Sequence, residues 1–232
     1  MKLVKTGAIW RRPRRARESA VNDVCSALAA SYPGSRLGNP RDPVADLVYI
    51  TISNRTTPAQ AVSAYKILRS HVRSWDDLLV VRRRTIDHVL RPAGLSAIKA
   101  AFLVGLARAL RDRFGRVTLG PLRRMTDAER LQLLTSLPGV SGKVARCVMM
   151  YCFDSAVLPV DVHVHRLASR LGWTARKRAD QSHEELEALV PSARRMRFHV
   201  DAIQHGRAVC AATNPACTVC VLQDYCLYRR TR

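Results

Sequence analysis

Apolar residues recur along this chain at helical spacing, and that periodicity limits the fold more than any other feature. Between residues 96 and 114, Ile98, Phe102, Leu106, Ala109, Leu110 and Phe114 share one face, with Arg108, Arg111 and Arg113 elsewhere. Stretches 18–31, 58–70, 126–135, 143–153, 161–171 and 193–209 read the same way, separated by short Pro, Gly and Ser runs that end helices. The β-branched run Val48-Tyr49-Ile50-Thr51-Ile52 is a local strand signature. With no convincing second strand to pair with, it reads as buried helix, and the expected class is all-α. Breaks near 33–43 and 154–159 suggest that residues 18–35 and 155–232 form one discontinuous unit. Residues 36–154 would then form a second, with a cleft between the two.

The 232 residues suffice for an ordinary core in one large or two small domains. Charge is the unusual quantity: 39 Lys and Arg against 18 Asp and Glu give +21, which points to a polyanionic partner. Residues 1–17 hold seven basic residues and no acidic one, read as an N-terminal arm contacting phosphates in preference to an organelle transit peptide. No run approaches the roughly 18 apolar residues of a membrane span, and the first residues lack a signal-peptide core. The expectation is a soluble cytoplasmic protein with no membrane partner.

Seven cysteines in such a chain favour metal ligation or buried thiols over a disulfide framework. Cys210, Cys217, Cys220 and Cys226 form C-x6-C-x2-C-x5-C within seventeen residues, close enough to call for a metal centre. By spacing, a four-thiolate zinc and an iron–sulfur cluster are both open. Cys25, Cys147 and Cys152 lie in apolar helical surroundings and read as buried thiols.

Leu137-Pro138-Gly139-Val140-Ser141-Gly142-Lys143 has the composition of a tight phosphate-binding hairpin. Gly139 and Gly142 let the backbone turn sharply and present N–H groups at the start of the next helix. An ordinary helix-to-helix turn is the competing reading. Lys143 stands at that helix start, and Asp161 follows eighteen residues later, after Pro159, as a strong N-cap for a helix carrying Val164, Leu167 and Leu171. An amine and a carboxylate so placed suit N-glycosidic bond chemistry, although capping alone would account for Asp161.

With these residues in view, the chain resembles the endonuclease III family of helix-hairpin-helix DNA glycosylases with an associated lyase activity. The resemblance rests on L-P-G-V-S-G-K at 137–143, P-V-D-V-H-V-H-R at 159–166, H-G-R-x-x-C at 205–210 and the terminal cysteines. It implies a two-part fold, a helical barrel domain plus a discontinuous iron–sulfur domain, with a [4Fe–4S] cluster on Cys210, Cys217, Cys220 and Cys226. It implies a monomeric, nucleoid-associated enzyme of base excision repair acting on double-stranded DNA with damaged or abasic sites. Lys143 would attack C1′ of a flipped nucleotide while Asp161 assists departure of the base, and elimination would then cut 3′ of the abasic site. A free lysine is only about 0.04% neutral at pH 7, so Lys143 must be tuned downward.

The resemblance further implies DNA contacts from Gly139, Val140, Ser141, Gly142 and His163, with Leu95 as a wedge filling the space of the flipped base. Arg55 stands where the family usually has glutamine, and arginine offers donors only. Pro58 replaces a usual aspartate and Val162 a common threonine. Ser141 occupies the place of the second hairpin glycine, where a positive φ would cost about 1 kcal/mol. Oxidised pyrimidines are the expected substrates. The alternatives are a G·T or G·U mismatch glycosylase and a catalytically weak damaged-DNA-binding protein.

Overall fold

The structure, a computed structural model, describes residues 6–230. Among these residues all regular structure is helical. The chain divides into two compact units, one formed by its two ends, up to Leu37 and from Ala156, and the other by Gly38–Ser155.

The middle unit holds α2 (Pro43–Ser53), α3 (Pro58–His71), α4 (Arg83–Leu90), α5 (Ser96–Phe114), α6 (Asp127–Ser136) and α7 (Gly142–Phe153). The β-branched run lies in α2, as its all-round apolar character requires. Asp42 caps that helix by accepting from Ala45 N at 2.7 Å, Pro43 follows at its first position, and nine of its eleven residues are buried. Helix α2 packs against α3, α5 and α7. Pro58 begins α3 behind a Thr57–Gln60 capping box, so the proline that replaces an aspartate sits where its missing N–H costs nothing.

Helix α5 has its expected span, but its buried face is rotated. Lys99, Ala100, Leu103, Leu106, Ala107 and Leu110 point inward, while Ile98 is 68% exposed. Helical periodicity chose the apolar Ile98 over the basic Lys99, and the structure buries the lysine because its ammonium has internal acceptors. Helix α4 lies outside the expected helices: its Ile86, Val89 and Leu90 have helical spacing, but eight residues are fewer than the roughly 11 over which such a period reads.

The unit of the chain ends contains α1 (Arg14–Ser31), α8 (Val162–Arg170), α9 (His183–Leu189), α10 (Arg195–Ala208) and α11 (Leu227–Arg230). Helix α10 packs on α1 and α8 around Val21, Leu28, Val164, Leu167, Phe198 and Ala202, with Trp173 stacked on Phe198 at 5.4 Å. Part of the sequence expected as a basic arm lies in this unit. Ile9 is buried and its N–H donates to Gly172 O at 2.9 Å, while the Thr6 hydroxyl donates to the buried Glu185 carboxylate at 2.9 Å. A Cβ at Gly7 would fall 2.2 Å from the Trp173 carbonyl carbon, so only glycine allows this approach. Helix α1 begins at Arg14, one turn before the expected start, and residues 1–5 of the arm lie outside the described residues. No described helix is long and apolar enough to cross a membrane.

Candidate functional site

In the middle unit, α6 and α7 are joined by the loop Leu137–Ser141. Buried Leu137 and Val140 anchor it, and the Val140 N–H donates to Leu137 O at 3.2 Å. The left-handed residue is Gly139, at φ +68°, and a Cβ there would lie 2.3 Å from the Phe102 ring on α5. Both conformation and space therefore require glycine. Ser141 carries no such strain: its φ of −76° and ψ of 163° are extended, and its Oγ accepts from Val144 N at 3.4 Å. The anticipated cost at Ser141 is thus corrected, because the turn is completed at Gly139 and serine is a favourable N-cap. Gly142 is the first residue of α7 and Lys143, half-buried, the second.

A residue missed in the sequence lies near Lys143. Asp46 is fully buried on α2, accepting from Asn39 Nδ2 at 2.6 Å, with Cys152 Sγ at 3.7 Å. Burial pushes its carboxyl up to about 7, against the opposing effects of Asn39, Cys152 and the Lys143 charge. The available signal was a lone acid in a helix without a polar face. Burial also raises the Cys152 thiol, and Cys147 and Cys25 are buried as expected.

Arg55 and Leu95 occupy exposed turns of the same unit, Arg55 just after α2 and Leu95 just before α5. Each is a non-glycine residue in the left-handed region, with φ of 54° and 52°. Leu95 is 48% exposed and follows Gly94, itself at φ +68°. Thr56 Oγ1 donates to Ala93 O at 2.5 Å, linking the two turns.

Asp161 and His163 belong to the unit of the chain ends. Asp161 caps α8 through one oxygen, Oδ1, which accepts from His163 N and Val164 N at 2.9 Å each. Capping therefore leaves Oδ2 without a hydrogen-bond partner among the described residues. His163 is half-buried against Gly206, where a Cβ would approach its ring to 2.8 Å. Its Nδ1 lies 3.0 Å from Arg166 Nη2, and since arginine only donates, Nδ1 accepts. Burial, then Arg166 and Arg207, lower the His163 pKa against the opposing charge of Asp161. Arg166 also donates to Gly206 O and Cys210 O, both at 2.8 Å, joining the helix that carries Asp161 to the first cysteine of the C-terminal set.

Cys210, Cys217, Cys220 and Cys226 line one cavity with Leu167, Arg170 and His205. All four are free thiols. Arg170 Nη1 donates to Cys210 Sγ at 3.0 Å and to Ala211 O at 2.8 Å, and Leu222 N donates to Cys220 Sγ at 3.4 Å. Burial raises the Cys220 thiol, against the lowering effect of the Leu222 N–H. No three His, Cys, Asp or Glu side chains among the described residues are grouped to hold a metal ion.

Comparison with known proteins gives consistent matches. Residues 48–192 match the family model described as HhH-GPD superfamily base excision DNA repair protein. The chain is 30% identical over 196 residues to endonuclease III of Sulfolobus acidocaldarius, covering 82% of this chain and 84% of that one. It is 29% identical over 191 residues to endonuclease III of Thermotoga maritima, covering 82% and 85%. Among solved structures, a non-covalent endonuclease III–DNA complex is similar at TM-score 0.81 and 25% identity, covering 93% of this chain and 97% of that one. A thermostable thymine-DNA glycosylase shares the fold at TM-score 0.78 and 22% identity, covering 94% and 98%.

Proposed function

The chain belongs to the endonuclease III family, within the HhH-GPD superfamily of base excision DNA repair proteins, and from that premise we propose that it removes oxidised pyrimidines from duplex DNA. It is a DNA glycosylase and AP lyase of base excision repair. Lys143 is the nucleophile in this reading. Its amine forms a bond to C1′ as the C1′–N bond breaks, and the base leaves protonated. Asp161 is the carboxylate assisting that departure. The product is an aminal; its C1′–O4′ bond breaks as the remaining amine proton passes to O4′, giving an imine to the opened sugar. The imine acidifies the C2′ hydrogen, whose loss expels the 3′ phosphate, and water then releases the amine. The observation that carries the proposal is the Gly139 turn, which starts α7 immediately before Lys143 and suits backbone N–H groups to a phosphate oxygen. The hairpin residues Gly139, Val140, Ser141 and Gly142, with Arg55, Leu95 and His163, are the proposed DNA contacts. The protein acts as a monomer on cytoplasmic, nucleoid-associated DNA.

Four free thiols around one cavity, with Arg170 and backbone donors on their sulfurs, fit a [4Fe–4S] cluster held by Cys210, Cys217, Cys220 and Cys226. A single zinc held by the four thiolates, each about 2.3 Å from the metal, is the competing assignment. In this reading the cluster braces the C-terminal loop. Protein purified without air should carry about four irons per chain and lose helical structure on iron removal. Zinc in place of iron would reject the assignment.

Excision from duplexes carrying thymine glycol, dihydrouracil, uracil, a G·T pair or a plain abasic site tests the substrate. The first two should be processed fastest. Preference for G·T or uracil would replace oxidised pyrimidines with mismatches.

A further inference from the structure

The turns bearing Arg55 and Leu95 are joined by a residue to which no role has been attached. Lys99, on the first turn of α5, is 5% exposed. Its Nζ donates to Ile52 O at 2.7 Å, Thr56 Oγ1 at 2.8 Å and Ala93 O at 2.8 Å, so each of its three N–H bonds has an acceptor. Ile52 O lies in the last turn of α2, where backbone carbonyls carry partial negative charge, and Ala93 O ends the turn that leads into Gly94. Arg55 follows the first of these acceptors by three residues, and Leu95 follows the last by two. Thr56 closes the ring by accepting from Lys99 and donating to Ala93 O.

We propose that Lys99 is a positioning residue that locks the Arg55 turn and the Leu95 turn together as one two-pronged element for insertion into duplex DNA. The inference rests on the proposed DNA-contacting roles of Arg55 and Leu95. Its physical basis is that both prongs adopt left-handed backbone, which L-residues leave unless surrounding bonds hold them. Two independent turns would each relax when pressed against a base stack. One buried ammonium bonded to both makes relaxation of either turn cost the bonds of the other. Burial lowers the Lys99 pKa, and the three acceptors keep the ammonium in place.

Borohydride trapping on abasic DNA, measured with the same oligonucleotide as a duplex and as a single strand, tests this. Only the duplex requires extrusion of the nucleotide from a stack. Lys99→Met is expected to lower the duplex-to-single-strand ratio about tenfold, as is Leu95→Ala. A general folding defect lowers both rates and leaves the ratio unchanged, which would overturn the inference. If Leu95→Ala leaves the ratio unchanged, the insertion reading itself fails and the functional role of Lys99 falls with it. If Leu95→Ala lowers it and Lys99→Met does not, Lys99 alone is refuted. Should Lys99→Met not fold, Thr56→Val removes one clamp partner and carries the same prediction. Amide exchange provides a readout independent of DNA. Residues 53–57 and 93–96 should lose protection together in the variant while 137–143 keep theirs, and loss in one turn alone would contradict the clamp.

Discussion

The middle unit contains two kinds of left-handed turn. In the hairpin before α7, the conformation falls on Gly139, where φ is +68° and the Phe102 ring leaves no room for a side chain. In the paired turns after α2 and before α5, it falls on Arg55 and Leu95, whose side chains are exposed. A hairpin that approaches a phosphate through its backbone can use glycine and avoid strain. An element that inserts a side chain, the role proposed for these turns, cannot, and there bonds from Thr56 and Lys99 hold the left-handed backbone.

Two variants can break or sharpen this contrast, and a third probes the buried Asp46 near Lys143. Gly139→Ala should have the largest effect on stability. It adds the left-handed penalty to a clash with Phe102, for a combined loss of about 2–4 kcal/mol in urea unfolding. Phe102→Ala in the same chain should recover the clash component, and an additive result would mean that the ring does not set the glycine requirement.

Asp46→Asn should alter the pH dependence of stability. The folded pKa of about 7 exceeds the unfolded value of 3.8, so between these values the native state binds more protons and wild-type stability falls as pH rises. The full difference, at most roughly 4 kcal/mol, is reached above pH 7. The asparagine variant should lose much of this slope between pH 4 and 7 in thermal unfolding. An unchanged slope would mean that the carboxyl ionises normally.

Leu95→Gly should show the smallest stability change, with the opposite sign. Removing the left-handed penalty should gain a few tenths to about 1 kcal/mol after the greater unfolded-state freedom of glycine is counted. Duplex excision should fall about tenfold in the same variant. A stability loss would place Leu95 among the packing residues and remove the distinction between the two turns.

The same contrast governs what the sequence made legible. Gly139 and Asp161 were legible because a turn glycine and an N-cap aspartate follow local backbone rules, and α2 was recognisable as helix because it had no strand to pair with. The buried face of α5 was misplaced, because Lys99 is charged and only its carbonyl and hydroxyl partners, two of them 43 and 47 residues away, make its burial favourable. Asp46 was missed for the same reason, since Asn39 precedes its helix and Cys152 is 106 residues away. Helix α4 has the helical spacing but only eight residues, fewer than the roughly 11 over which a period reads, and the helical start of the basic N-terminal segment depends on contacts with residues 172–174 and Glu185. Residues held by their own neighbours were readable, whereas those held by distant partners were not.

Identification of the trapped residue tests the central claim most directly. Wild-type protein incubated with abasic duplex DNA and borohydride should give one covalent adduct, mapped by peptide sequencing to Lys143, and Lys143→Ala should give none while still binding the duplex. An adduct mapped to another lysine, or trapping by Lys143→Ala at the wild-type rate, would contradict it.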